Sequence, residues 1–158
     1  MPTSKKKTTS AAAAAPRVAD PFDFQTDSLG YALRRAQVRA FDLFFEMLGT
    51  LDLSPARLTA LSIVAMEPEI NQAALARRLG VAGPSVLKLV DALEAAGFIA
   101  RREVEGDRRR YSLVLTTAGR GMLERVRTEL AAYETRLARK LSGPEREQLM
   151  SLLARTAT

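Results

Sequence analysis

The 158-residue chain is 47% hydrophobic and 27% charged, with 24 basic and 18 acidic residues and a formal charge of +6; this suffices for one core and favours polyanionic partners. It has neither cysteine nor histidine, which excludes disulfides, thiol redox sensing, zinc sites with Cys or His ligands and a catalytic imidazole. No apolar run approaches the roughly 18 residues that would span a bilayer, no glycine-rich phosphate loop is present, and neither an enzyme nor a bound cofactor is expected.

The opening "MPTSKKKTTSAAAAAPRVAD" superficially mimics a secretory signal, but its five alanines form too short and too weakly hydrophobic a segment. Residues 1–27 read as a disordered tail of a cytoplasmic protein. Lys5, Lys6 and Lys7 can touch phosphates loosely or serve only solubility. From Ser28, a capping residue, the spacing predicts a helix to about Leu48, with Leu29, Leu33, Ala36, Ala40, Phe44 and Leu48 as its apolar stripe and Phe41 and Phe45 widening it. After the break "GTLDLSP", Ser54 and Pro55 start a second helix that runs to about Met66, where "EPE" ends it.

In "INQAALARRLGVAGPSVLKLVDALEAAGFIARR", Asn71 caps a short helix that turns Ala74, Leu75 and Leu79 inward and stops at Gly80. Pro84 lies in the first turn of the next, which buries Val86, Leu89, Val90 and Leu93 and ends at Gly97. Ser85 and Lys88 face out, with Leu87 and Asp91 beside them. "GFIARREV" and the alternating "RYSLVLT" then form a hairpin whose tip carries Gly106, Asp107, Arg108 and Arg109; Tyr111, Leu113 and Leu115 share one face of the second strand, and Ser112, Val114 and Thr116 the other. Two short helices, a glycine-containing turn and a hairpin are the layout of a winged helix-turn-helix. The basic tip is either a solvated turn or a contact to phosphate and minor groove.

"TTAGRGMLERVRTELAAYETRLARKL" reads as one helix of about 25 residues, roughly 38 Å long, with Leu123, Val126, Leu130, Leu137 and Leu141 spaced along it and Tyr133 between. "SGPEREQLMSLLART" adds a capped terminal helix carrying Leu149, Leu152 and Leu153. The long helix packs either on a partner copy or on the N-terminal helix of its own chain. Charge is uneven: residues 77–110 and 111–158 each carry eight basic against five acidic groups, whereas residues 28–76 carry four against five. The expected fold is mainly α with a small β-hairpin wing.

From about residue 28 to 155 the chain resembles the MarR (multiple antibiotic resistance regulator) family, through "LGYALRRAQ", "INQAALARRLGV", "VLKLVDALEAAGFIARR" and the wing "DRRRYSLVLTTAGR", whose aspartate-x-arginine and "LT..G" fall on Asp107, Arg109, Leu115, Thr116 and Gly119. The resemblance implies a homodimer joined by residues 28–52 and 117–158, with a DNA-binding lobe at residues 53–116. It further implies that recognition helices enter consecutive major grooves of a pseudo-palindromic operator, with the wing arginine in the minor groove. It implies a repressor, released by a small anionic ligand such as an aromatic acid or its coenzyme A thioester.

On this reading Gly83, Pro84, Ser85 and Lys88 meet the major groove, where lysine can reach guanine acceptors and serine a base or phosphate. Asp107 orients Arg109, while Arg108 and Arg110 are phosphate contacts or solvated charges. Gly83, Pro84 and Leu87 depart from the family's more polar pattern; Leu87 either meets a thymine methyl or covers the helix stem. Tyr31, Arg34, Arg35 and Arg39 are the ligand candidates: Arg35 and Arg39, one turn apart, could hold a carboxylate or phosphate, or Arg39 pairs with Asp42 and Arg35 is solvated. The alternative function is an effector-independent winged-helix activator or architectural protein.

Overall fold

The computed structural model describes residues 23–104 and 107–157, the side chains of Val104 and of Asp107 through Arg110 excepted. Lys5, Lys6, Lys7 and Gly106 lie outside the described residues.

Of the residues 1–27 expected as a tail, those from Asp23 to Asp27 are described. α1 (Phe24–Asp27) is a single helical turn, because Asp23 accepts a hydrogen bond from the Gln25 amide at 2.9 Å and the Phe24 ring rests 5.7 Å from that of Tyr31. α2 (Leu29–Leu48) starts at Ser28, whose hydroxyl accepts from the Tyr31 amide. Its apolar stripe is only partly covered: Leu43, Phe44 and Leu48 are buried, but Leu29, Phe41 and Phe45 are exposed. The stripe is wider than the other described residues shield.

A 3-10 turn (Gly49–Leu51) closes on Asp52, which takes a left-handed φ of 51°. Ser54 and Pro55 then open α3 (Pro55–Met66), with the Ser54 hydroxyl accepting from the Arg57 amide at 3.3 Å. α3 is the centre of the lobe that α4, α5 and the hairpin complete, burying Leu58, Ala60, Leu61 and Val64. Asn71 caps α4 (Gln72–Leu79) by accepting from the Ala74 amide at 2.9 Å, and Gly80 ends it with φ 64°, a conformation that strains any residue with a β-carbon. α5 (Gly83–Ala95) buries Val86, Val90 and Leu93, with Leu89 packed at the margin of the core.

β1 (Ile99–Val104) and β2 (Asp107–Leu115) pair antiparallel from Ile99↔Leu115 to Glu103↔Tyr111, and then the register jumps to Val104↔Asp107. Asp107, Arg108 and Arg109 therefore open the second strand, where a tip was expected, because three residues of β2 are set against one step of β1. The hairpin is tied to the lobe by the Leu113 amide, which donates to the Ile70 carbonyl at 2.8 Å. Ile99 and Leu113 are buried beneath it, and the buried Ser112 hydroxyl donates to the Arg102 carbonyl at 3.4 Å.

Thr116 joins the hairpin to α6 (Thr117–Leu137). Its hydroxyl accepts from the Gly119 amide at 3.0 Å and donates to the Gly97 carbonyl at 2.6 Å. A β-carbon at position 119 would stand 2.1 Å from the Phe98 carbonyl oxygen and 2.8 Å from Leu115 Cδ1, so only glycine allows the helix to approach. This is the physical content of the "LT..G" spacing. α6 ends at Leu137, short of the expected 25 residues. Its 21 residues span about 32 Å. Ser142 and Glu145 form a reciprocal capping box that begins α7 (Gly143–Thr156), so the chain leaves the helix in a turn closed by the Leu141 amide on the Ala138 carbonyl at 2.8 Å.

α6 meets α2 through Tyr133, whose hydroxyl donates to the Ala40 carbonyl at 3.2 Å and whose ring stands edge-on to Phe44 at 5.7 Å. Burial and the charge of Glu134 raise the Tyr133 phenol above the ordinary tyrosine range and keep it a donor. Arg136 pairs with Glu46 at 2.7 Å, and Arg146 with Glu134 at 3.0 Å. Among the described residues no helix is long and apolar enough to cross a membrane.

Candidate nucleic-acid interface

One face of α5 is fully committed to the core, with Val86, Val90 and Leu93 at most 1% exposed. The other carries Pro84, Ser85, Leu87 and Lys88, all exposed, at the end of the helix farthest from the lobe's attachment to α6. Ala82 stands at the N-cap and offers no side-chain acceptor, so no capping side chain intervenes between the first-turn amides and an incoming anion. Space is open around Gly83. The four recognition-helix residues expected at the DNA, Gly83, Pro84, Ser85 and Lys88, thus share one exposed end.

The hairpin is fixed to this helix by a residue that sequence reasoning missed. Arg101, on β1, pairs through Nη2 with Asp91 at 2.5 Å and through Nη1 with Glu94, while its own amide donates to Glu94 at 3.2 Å. The Asp91 hydrogen bond, opposed by partial burial and reinforced by the charges of Glu94 and Asp91, raises the Arg101 pKa. Asp91, read from sequence as standing beside the outward residues, is occupied in this clamp. Carboxylates three apart on α5 and an arginine just beyond Gly97 are the available clue, but their meeting requires the reversal at Gly97, whose φ is 74°. The clamp and the Thr116 junction hold the wing's root at fixed spacing from α5. The side chains of Asp107, Arg108, Arg109 and Arg110 lie outside the described residues.

The ligand candidates separate. A groove of about 800 Å³ runs between α2, the end of α6 and α7; Leu33, Leu137, Leu141, Leu149 and Leu153 line it, with Arg34 and Arg39 at its border. Tyr31, half-buried against Phe24, and Arg35 are not among its lining residues. Arg39 does not pair with Asp42, and among the described residues Arg34, Arg35 and Arg39 make no ion pair. The groove's other charges, Glu134 and Arg146, neutralise each other. It is therefore an apolar trough with net positive charge.

Two short helices crossing under a clamped hairpin, with the second helix exposing its N-terminal half, define a winged helix-turn-helix transcription regulator. Residues 51–110, from the 3-10 turn to the wing, match the model of the MarR family. A transcriptional regulatory protein for the hcr operon of Thauera aromatica is 35% identical over 128 residues, 80% of this chain and 77% of the relative. The transcriptional repressor CouR, solved on a 23-mer DNA duplex, is similar at 36% identity with a TM-score of 0.81 over 85% of this chain and 96% of that one. CouR bound to p-coumaroyl-CoA is similar at 34% identity and a TM-score of 0.78, covering 85% and 94%. The chain belongs to the MarR family.

Proposed function

We propose that this chain is a homodimeric repressor that leaves a pseudo-palindromic operator when a small anionic ligand, an aromatic acid or its acyl-CoA-like thioester, binds. The observation that carries the reading is the rigid pairing of an exposed recognition-helix end with a basic hairpin, in a chain similar to a repressor seen on DNA. Residues 53–116 form the DNA-binding lobe. Residues 28–52 and 117–158 form the dimer arms. Two lobes related by a two-fold axis would meet two half-sites one helical turn apart, which accounts for a palindromic target.

Within each lobe, Ser85 and Lys88 address base edges while Gly83 and Pro84 let the backbone approach. Arg109 enters the minor groove, oriented by Asp107, and Arg108 and Arg110 meet phosphates. For the ligand, Arg34 and Arg39 attract the anionic end and the leucine-lined trough takes the apolar body, its volume being within the range of small-molecule sites. Arg34 and Arg39 are free to do this because neither is spent on an ion pair among the described residues. The protein works in the cytoplasm, where its DNA is.

Fluorescence anisotropy of the purified protein on its own upstream DNA and on a shuffled duplex, across a salt series, tests the reading. A preference of about 10³-fold, retained as salt rises, is expected. Equal and steeply salt-dependent binding to both would leave phosphate attraction alone and favour the effector-independent architectural reading. Arg109→Ala should weaken operator binding by about 1–3 kcal/mol with the dimer intact.

A further inference from the structure

Leu87 is a large apolar side chain in an unusual place. It lies on the exposed end of α5 between Ser85 and Lys88, is 44% exposed, and is not among the residues packed against the core. A role in covering the helix stem would require contact with that core. Its helical position, one turn before Asp91 and two before Glu94, puts it on the flank that the Arg101 clamp turns towards the wing. An exposed leucine there costs solubility, and among the described residues it packs on no core side chain.

In the major groove the only base feature that prefers an apolar neighbour is the C5-methyl of thymine. Serine and lysine on either side address acceptors and donors, and a leucine among them can discriminate only by shape and by that methyl. We infer that Leu87 is a specificity-determining residue that selects thymine in each half-site by burying its C5-methyl. This deepens the proposed function and rests on it, since it requires that α5 enter the major groove.

The test begins with in vitro selection of binding sites from random duplexes using the full-length protein. Each thymine of the selected operator is then replaced in turn by deoxyuridine, which lacks only the methyl, and binding is measured by anisotropy for the native protein and for Leu87→Ala. At one position per half-site the native protein should lose about fourfold in affinity for the missing methyl, roughly 15-fold for the two half-sites together. Leu87→Ala should be indifferent to the same replacement and should bind the uridine operator as well as the native protein does, which also shows that the variant is folded. An unchanged uridine profile in Leu87→Ala, or a flat profile in the native protein, overturns the inference while leaving the regulator intact. Failure of selection to enrich any sequence would overturn the regulator reading, and this inference with it.

Discussion

The DNA-binding lobe and the helical arms close their apolar surfaces in different ways. In the lobe, Leu61, Leu75, Val90, Leu93 and Leu113 are at most 1% exposed, and each is worth about 1.5–3 kcal/mol of burial. In the arms, Leu29, Phe41, Phe45, Leu137, Leu141, Leu149, Met150 and Leu152 all remain exposed, and α7 buries none of its residues. Among the described residues one core joins the lobe to α2 and α6, through Leu43, Leu48, Met122 and Val126, and most of the large apolar side chains left exposed lie on the arms. An apolar surface this extensive suits contact with another surface.

The sharpest way to break this contrast is to charge the arm. Leu152→Asp, on the exposed face of α7 outside the trough, should prevent dimer formation at micromolar concentration, because a carboxylate in an apolar interface costs several kcal/mol. Sedimentation should show the monomer while circular dichroism retains the helices of the lobe. A dimer of unchanged affinity would mean that the arms pair through another face. Next in size is Gly119→Ala, at the junction between the two regions. Its methyl would collide with the Phe98 carbonyl, and a loss of about 3 kcal/mol is expected in urea unfolding.

Arg101→Ala should act within the lobe and leave the dimer alone. The clamp is partly solvated, with Asp91 more than half exposed, so after screening it is worth about 1 kcal/mol. Loosening the wing against α5 should appear as a several-fold faster release from operator. An Arg101→Lys variant can restore one ion pair but not the fork to two carboxylates, and should recover only part of the loss.

What could be read from the chain alone follows the same division. Ser54 and Asn71 announce helix starts locally, and Gly80 and Gly97 announce ends, so the lobe's elements were legible to within a residue or two. The need for glycine at position 119 was visible as a spacing, but its cause is a contact with Phe98 across the hairpin. The length of α6 was overestimated because "ARKL" contains no breaker; the stop is set by the capping box beyond it. Apolar periodicity in α2 could not distinguish residues that face this chain's core from residues kept for a partner. Phe44 and Phe41 both lie on the predicted stripe, yet one is buried and the other exposed, while Leu43, off that stripe, is fully buried. Of the four candidates on α2, Arg34 and Arg39 line the trough and Tyr31 and Arg35 do not, a division set by the helix's rotation that its sequence could not show.

The smallest expected effect concerns how the arm responds to acid. The Glu145 carboxylate accepts from the Ser142 backbone amide at 2.8 Å and from its hydroxyl at 2.7 Å, and these bonds, the backbone one foremost, hold its pKa below the ordinary glutamate value. A lowered carboxyl pKa means that the folded arm prefers the ionised form. Its stabilising contribution is complete above the ordinary glutamate range and is lost as pH falls through the lowered value. Hydrogen exchange at the first-turn amides of α7 should therefore lose protection on acidification through that window. Glu145→Gln keeps an acceptor suited to a capping box but cannot titrate, so its protection should be independent of pH across the same window, while Glu145→Ala should be poorly protected throughout. Fraying in Glu145→Gln at the same pH as in the native chain would place the acid response elsewhere in the arm.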